Sequence, residues 1–318
     1  MGLMKLFPSI AAQAFLDKKH DSPRYVSPNN NNDYTLGRVG KHNVVIAVLP
    51  DGEYGTTFAA SVPRDMLHSF PNVRIGLMVG IGGGAPSAKH DIRLGDIVVS
   101  APRDGQGGMF QYDFGKTIQD QTFRPAGVLN QPPTVLWAAV GGLRAQFEID
   151  GHQLEEAIRI TLNKRPRLTK KEERPAPSTD RLFQSRLVHD SKGCAKLCAR
   201  SPSNVKVRRE RTEDENDPAI HYRLIASANQ LMKEALVRDK LATEKDVLRF
   251  EMEAAGLINY FPCLVIRVIC NYSDSHKNKE WQGYVAMAAA AYIKDLLCRI
   301  APNKVEAEKR IMDILSGQ

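Results

Sequence analysis

Apolar positions in this chain follow two rhythms in turn: the continuous or alternating runs of a strand, and the three-to-four spacing of a helix. Strand-like runs cover Val44 to Leu49, Val73 to Val79, Asp96 to Ser100, Ala219 to Ala228, Val247 to Met252 and Cys263 to Cys270. Helical spacing covers Ile10 to Leu16, Pro133 to Phe147, Leu154 to Leu162, Gln230 to Leu241, Ala254 to Tyr260 and Trp281 to Cys298. Gly55 opens a further helix carrying Phe58, Met66 and Leu67. Pro63 falls inside the Gly55 helix, where a missing N–H and a ring clash cost roughly 3 kcal/mol, so an interruption is expected there. Strands alternating with helices predict a central sheet covered on both faces.

The length, 318 residues, is enough to bury a full core. The expectation is a single α/β domain over 1–318, with 164–211 projecting as a basic insertion loop. The net charge of +8 is local: Lys164, Arg165, Arg167, Lys170, Lys171 and Arg174 lie in one segment, and Lys206, Arg208, Arg209 and Arg211 in another. Both flank the turn-rich Pro175-Ala176-Pro177-Ser178, and no aromatic residues are interleaved to stack on bases. The charge therefore reads as a solvated loop, and nucleic acid is disfavoured as a partner. Apolar runs such as Tyr284 to Ile293 fall short of the roughly 20 residues a membrane span needs. Nor does the Met4-Lys5-Leu6-Phe7 start lead into a sustained apolar core, so the reading is cytoplasmic, without membrane attachment. Five cysteines, an odd number, make no disulfide framework, and Cys194 and Cys198 have no second pair at zinc spacing. Neither a metal nor a cofactor is expected.

Three segments carry candidate chemistry. Gly80-Ile81-Gly82-Gly83-Gly84, after the run Val73 to Val79, reads as a glycine turn whose backbone can approach a ligand closely. It is neither a P-loop, since no Gly-Lys-Ser/Thr follows, nor a dinucleotide fingerprint. Glu251-Met252-Glu253 places two carboxylates at a strand-to-helix junction, suited to a vicinal diol or to capping the helix that follows. The run Cys263 to Cys270 ends in Asn271-Tyr272-Ser273-Asp274-Ser275, a polar cluster at the carboxyl end of a buried strand.

In this order, and with Leu94-Gly95-Asp96-Ile97-Val98-Val99-Ser100 after the glycines, these motifs resemble the nucleoside phosphorylase and nucleosidase superfamily. The resemblance is closest to the phosphorylase-like domains of fungal proteins and covers nearly the whole chain. It implies a central mixed sheet flanked by helices. It also implies that Glu253 and Met252 hold a ribose, that Gly82, Gly83 and Gly84 line the sugar and nucleophile side, and that Ser227 joins the substrate-binding set. Asn271 takes the position of the family's acid, an aspartate that protonates the purine at N7 in nucleosidases. Its amide can donate a hydrogen bond but not transfer a proton. Asp274 could substitute for that aspartate or cap its own turn before Lys277.

Other departures from the pattern bear on activity. The family opens with a strand and a loop bearing an acidic or basic residue, whereas only nine residues, including Pro8 and Ser9, precede Ile10, so the first strand is expected to be missing or altered. Arg223 stands where the resembling sequences have a small residue near the base. Met78 replaces an arginine that holds phosphate in bacterial-type phosphorylases, which favours water as nucleophile, while Arg74 keeps phosphate open. The resemblance thus implies an N-ribosyl hydrolase, or alternatively a phosphorylase, for purine nucleosides or nucleotides. The alternative from another class is an inactive nucleotide-binding or signalling module. A homo-oligomer is compatible, since sites in the family are often completed across a subunit interface.

Overall fold

A computed structural model describes residues 2–4, 6–28, 30–48, 55–103, 105–120, 123–188, 198, 201–212, 215–276 and 279–317, with side chains from Ser9 onward. The strands are β1 (Gly2–Met4), β2 (Lys18–Lys19), β3 (Tyr34–Val39), β4 (His42–Val48), β5 (Gly76–Gly84), β6 (Ile97–Ser100), β7 (Met109–Gln111), β8 (Gly115–Lys116), β9 (Arg124–Pro125), β10 (Ile220–Ser227), β11 (Val247–Glu251) and β12 (Cys263–Asn271). The main sheet runs β11-β10-β6-β12-β5-β1-β4-β3-β2, with β7 beside β10. Its pairings are mixed: β12 lies parallel to β5 and antiparallel to β6. The end of β11 also returns to pair antiparallel with β5, Arg249 to Gly84 and Phe250 to Gly83. Strands β5, β12, β6, β10 and β11 therefore close into a ring, and the carboxyl ends of β5, β10, β11 and β12 meet at one rim.

The core follows from composition. β12 is almost wholly apolar and buried on both faces, as a central strand covered by helices must be. Against it packs the closing helix Gln282–Arg299, whose alanines at 286 and 288–291 let helix and sheet approach closely. The same helix packs on the first one, Leu6–Phe15. Among the described residues, no helix is long and apolar enough to cross a membrane.

Three expectations change in detail, and a fourth lies partly outside the described residues. The first strand is altered rather than missing: β1 is three residues long and lies parallel between β4 and β5, with Gly2 opposite both Ile46 and Leu77. Pro63 does not break its helix, which runs Thr56–Ser69 with Pro63 buried inside it. Neighbouring carbonyls of this helix also receive side-chain donors, Val62 from Asn32 Nδ2 at 3.0 Å and Asp65 from Asn30 Nδ2 at 2.8 Å. The strand expected to end at Leu49 is described only to Val48; Leu49, like Cys194 and Lys277, lies outside the described residues. Most consequentially, Gly80 to Gly84 form no turn. β5 continues through all five residues, and at Gly80, Gly82, Gly83 and Gly84 side chains from elsewhere in the fold fill the space where a Cβ would stand.

The basic segment is tied back onto this framework. Arg211 places Nη1 and Nη2 on the buried Asp96 carboxylate at 2.8 and 2.6 Å, and His221 Nε2 reaches the same group at 3.0 Å. Arg208 bonds the Tyr272 hydroxyl at 2.8 Å and pairs with Asp180 at 2.9 Å. Arg174 joins Glu155 and Asp217 at 3.0 and 2.7 Å. Burial pushes the Asp96 carboxyl up, but the hydrogen bonds and charges of His221 and Arg211 outweigh it and bring the group down to about 2.

Candidate functional site

Backbone register brings the sequence-derived residues together at the rim. Asn271 sits opposite Gly83, Gly83 opposite Phe250 of β11, and Glu251 opposite Ser227 of β10. Met252 and Glu253 follow at the step from β11 into the short helix Ala254–Leu257. Both are buried.

The two glutamates take different parts. Glu251 accepts the backbone N–H groups of Glu253 at 3.2 Å and Ala254 at 3.0 Å, so it caps the helix. Ser227 Oγ accepts the next N–H, of Ala255, at 3.0 Å. Glu253 turns Oε2 toward Arg267 Nη2 at 3.3 Å, and the same guanidinium nitrogen holds Glu251 Oε2 at 2.7 Å. Arg267 is therefore a buried bridge between the capping carboxylate and the one that the resemblance assigns to ribose.

The glycines of β5 make room for arginines. A Cβ on Gly80 would overlap Arg267 Nη1, and one on Gly82 would overlap Arg249 Nη2. Gly83 has a different neighbour: a Cβ there would overlap Ser273 Oγ and lie 2.9 Å from Asn271 Oδ1. Successive residues of a strand face opposite sides, so Gly82 turns to the arginines and Gly83 to the polar end of β12.

At that end a bulge between Ile269 and Asn271 ends the regular ladder. Asn271 Oδ1 accepts the N–H of Ser273 at 3.0 Å, and Nδ2 reaches Cys270 Sγ at 3.3 Å. This turn holds Ser273 at φ 53°, a left-handed conformation uncommon outside glycine and asparagine. The amide thus spends its acceptor locally and keeps donor capacity on Nδ2. Asp274 takes the capping alternative. It is buried, accepts the His276 N–H at 2.9 Å, and lies 3.9 Å from Arg238, so it caps its own turn.

Two expected residues lie elsewhere. Arg223 is four positions upstream of Ser227 on β10 and points to Asp246 at 3.5 Å, beside the amino end of β11 rather than the rim. Arg74 precedes β5 at the far end of that strand and donates to the Glu308 carbonyl. Conversely, Arg249, Arg267 and Ser273 received no role from the sequence. The available signal was a lone arginine in each of two otherwise apolar strands, with glycines at alternate positions of a third. Among the described residues no group of His, Cys, Asp and Glu side chains is arranged to hold a metal ion.

No protein-family model matches the chain. Over 299 residues it is 43% identical to a nucleotide-binding leucine-rich repeat (NLR)-like protein of Hyaloscypha variabilis, covering 94% of this chain but 29% of that protein. Among solved structures it is similar to a putative 5′-methylthioadenosine/S-adenosylhomocysteine nucleosidase of Borrelia burgdorferi bound to adenine. There the TM-score is 0.58 and the identity 15%, with 93% of this chain and 99% of that one covered. An aspartate-to-asparagine mutant of the Helicobacter pylori 5′-methylthioadenosine nucleosidase, with 5′-methylthioadenosine in its active site, gives 0.56 at 14% identity over 93% and 96%. The futalosine hydrolase of the same organism gives 0.54 at 14% identity over 93% and 96%. The chain thus shares the fold of these nucleosidases and of futalosine hydrolase, the fold that its three motifs implied.

Proposed function

We propose that the rim binds a purine nucleoside or nucleotide and that the chain cleaves its N-glycosidic bond with water, slowly. The observation that carries this reading is the meeting of Gly83, Ser227, Met252, Glu253 and Asn271 at adjacent strand ends, in a fold shared with purine nucleosidases. Glu253 supplies carboxylate oxygens for the ribose hydroxyls, oriented by Arg267, and Met252 covers the sugar. Asn271 donates through Nδ2 to the purine ring. This polarises the leaving base without transferring a proton, so the step forgoes the ~10²–10⁴-fold that a general acid contributes. Met78 is buried and uncharged before the glycines, and Arg74 lies at the far end of β5, which favours water over phosphate.

A panel of purine nucleosides and 5′-nucleotides, assayed for free base with and without phosphate, tests this. Slow phosphate-independent release from at least one substrate is expected; no release from any of them defeats the reading of an enzyme. A binding module without turnover is the second reading. It is favoured by the absence of an ionisable group at position 271 and by the NLR-like relative. Thermal stabilisation by a purine nucleoside with no base released would select it.

A further inference from the structure

The basic residues of the 164–211 stretch divide into two sets with different surroundings. Arg174, Arg208 and Arg211 are engaged inside the fold by Glu155, Asp217, Asp180 and Asp96. Arg165, Arg167 and Lys170, by contrast, form no ion pair among the described residues. Lys171 has an acid beside it, the buried Glu172.

The short helix Pro166–Glu172 sorts these charges by face. Leu168 and Glu172, four positions apart, turn inward, while Arg167, Lys170 and Lys171 are exposed. Like charges three and four positions apart on a helix repel one another, and a bound anion relieves that repulsion. Arg165 stands just before this helix, at the edge of a groove of about 470 Å³ that separates it from the first helix, Leu6–Phe15. The floor of the groove is apolar: Ile10, Ala14, Leu16 and Leu168. Its edge is polar: Gln13, Asp17, Lys19 and Arg165. Asp17 has both oxygens occupied, Oδ1 by Lys294 Nζ at 2.5 Å and Oδ2 by the Gly40 N–H at 2.6 Å. Lys19 donates to the neutral Gln13 amide oxygen at 3.0 Å. The edge therefore presents two cations that no carboxylate neutralises, above an apolar floor.

We propose that this groove and the cationic face of the Pro166–Glu172 helix bind an acidic peptide segment of another protein, one with apolar side chains set between its carboxylates. The carboxylates meet Lys19, Arg165, Arg167 and Lys170, and the apolar side chains cover the floor. The charges alone also suit a nucleic-acid backbone or an anionic bilayer. The apolar floor, recessed between two helices, decides for a peptide, whose successive side chains serve both needs. None of the rim residues lines the groove, so the proposal stands apart from the reading of the rim.

The test is fluorescence anisotropy of labelled peptides titrated with the full chain. One peptide alternates glutamate and leucine, a second alternates glutamate and serine, and a third alternates lysine and leucine. The glutamate-leucine peptide should bind about tenfold more tightly than the glutamate-serine one, more weakly as salt is raised, and the lysine peptide should not bind. The double variant Lys19→Glu, Arg165→Glu should lose about tenfold or more in affinity, whereas Lys304→Glu with Lys309→Glu, an equal charge change at exposed positions elsewhere, should not. Lys19→Glu alone, at an exposed position, keeps the test readable where the double variant is unstable. Leu168→Ala should narrow the advantage of leucine over serine. Absence of binding, an affinity undiminished by both the single and double reversals, or tighter binding of duplex DNA or phosphatidylserine vesicles than of the glutamate-leucine peptide overturns the proposal.

Discussion

An amide and a carboxyl group occupy nearly the same volume, yet at the end of β12 they do different work. Asn271 has its Oδ1 committed to the Ser273 N–H, which leaves donation as its role toward a ligand. In the proposed site Glu253 is the complementary acceptor, held toward Arg267 at 3.3 Å. Glu253→Gln should weaken nucleoside binding by about 10–100-fold, the range for a hydrogen bond to a charged group, measured by ligand-dependent thermal shift. The fold should survive, because Glu251 keeps its 2.7 Å pair with Arg267 and its caps on the helix. An unchanged affinity would remove Glu253 from the site.

At the scale of elements, β5 is shaped by residues that arrive much later in the chain. Gly82→Ala forces a methyl group into Arg249 Nη2, and overpacking a filled interior costs about 1–3 kcal/mol, read from the urea midpoint. Combined with Arg249→Met, the same substitution should cost clearly less, because the obstacle is gone; additive losses would refute the contact. The glycines also show where sequence reading stops. A run such as Gly82-Gly83-Gly84 signals a turn when only local preferences are consulted, whereas here the reason for glycine lies in Arg249, Arg267 and Ser273. β12 and β6 were legible because their apolar runs stand out from polar neighbours. β1 and β7, three residues each, are too short to show any period. That Asn271, Met252 and Glu253 stand at neighbouring strand ends was legible through the order of their motifs. Arg249 was not, since nothing near it in sequence explains a buried charge.

For the whole molecule, Asp96 is the post to which the basic segment is moored. Its folded pKa, about 2, lies below the ordinary value of 3.8, so the group contributes stability that is fully present above about pH 4 and lost as the pH falls toward 2. The contribution is on the order of 2 kcal/mol, and acid titration of Tm should show the loss in that window. Asp96→Asn should abolish the acid step and cost about 3 kcal/mol, the low end for breaking a buried pair, since Arg211 would keep only Asp217, at 3.1 Å, as a charge partner. Limited proteolysis should then cut the 201–212 stretch sooner than in the parent; equal cleavage would mean that the Arg211 mooring does not hold it. The acids that receive these arginines, Asp96 and Asp180, stand far from them in sequence, which is why the charge run reads as solvated when taken alone.

On the proposed reading, the rim holds a purine nucleoside, and Asn271 stands where a nucleosidase would carry its acid. The most direct test of that reading is the rate of base release from purine nucleosides by the parent chain and by Asn271→Asp, side by side without phosphate. Slow release is expected from the parent and release faster by ~10²–10⁴-fold from the variant, with the gain greatest where protonation at N7 helps the base to leave. Silence from both proteins, with no nucleoside-dependent stabilisation of either, would contradict it.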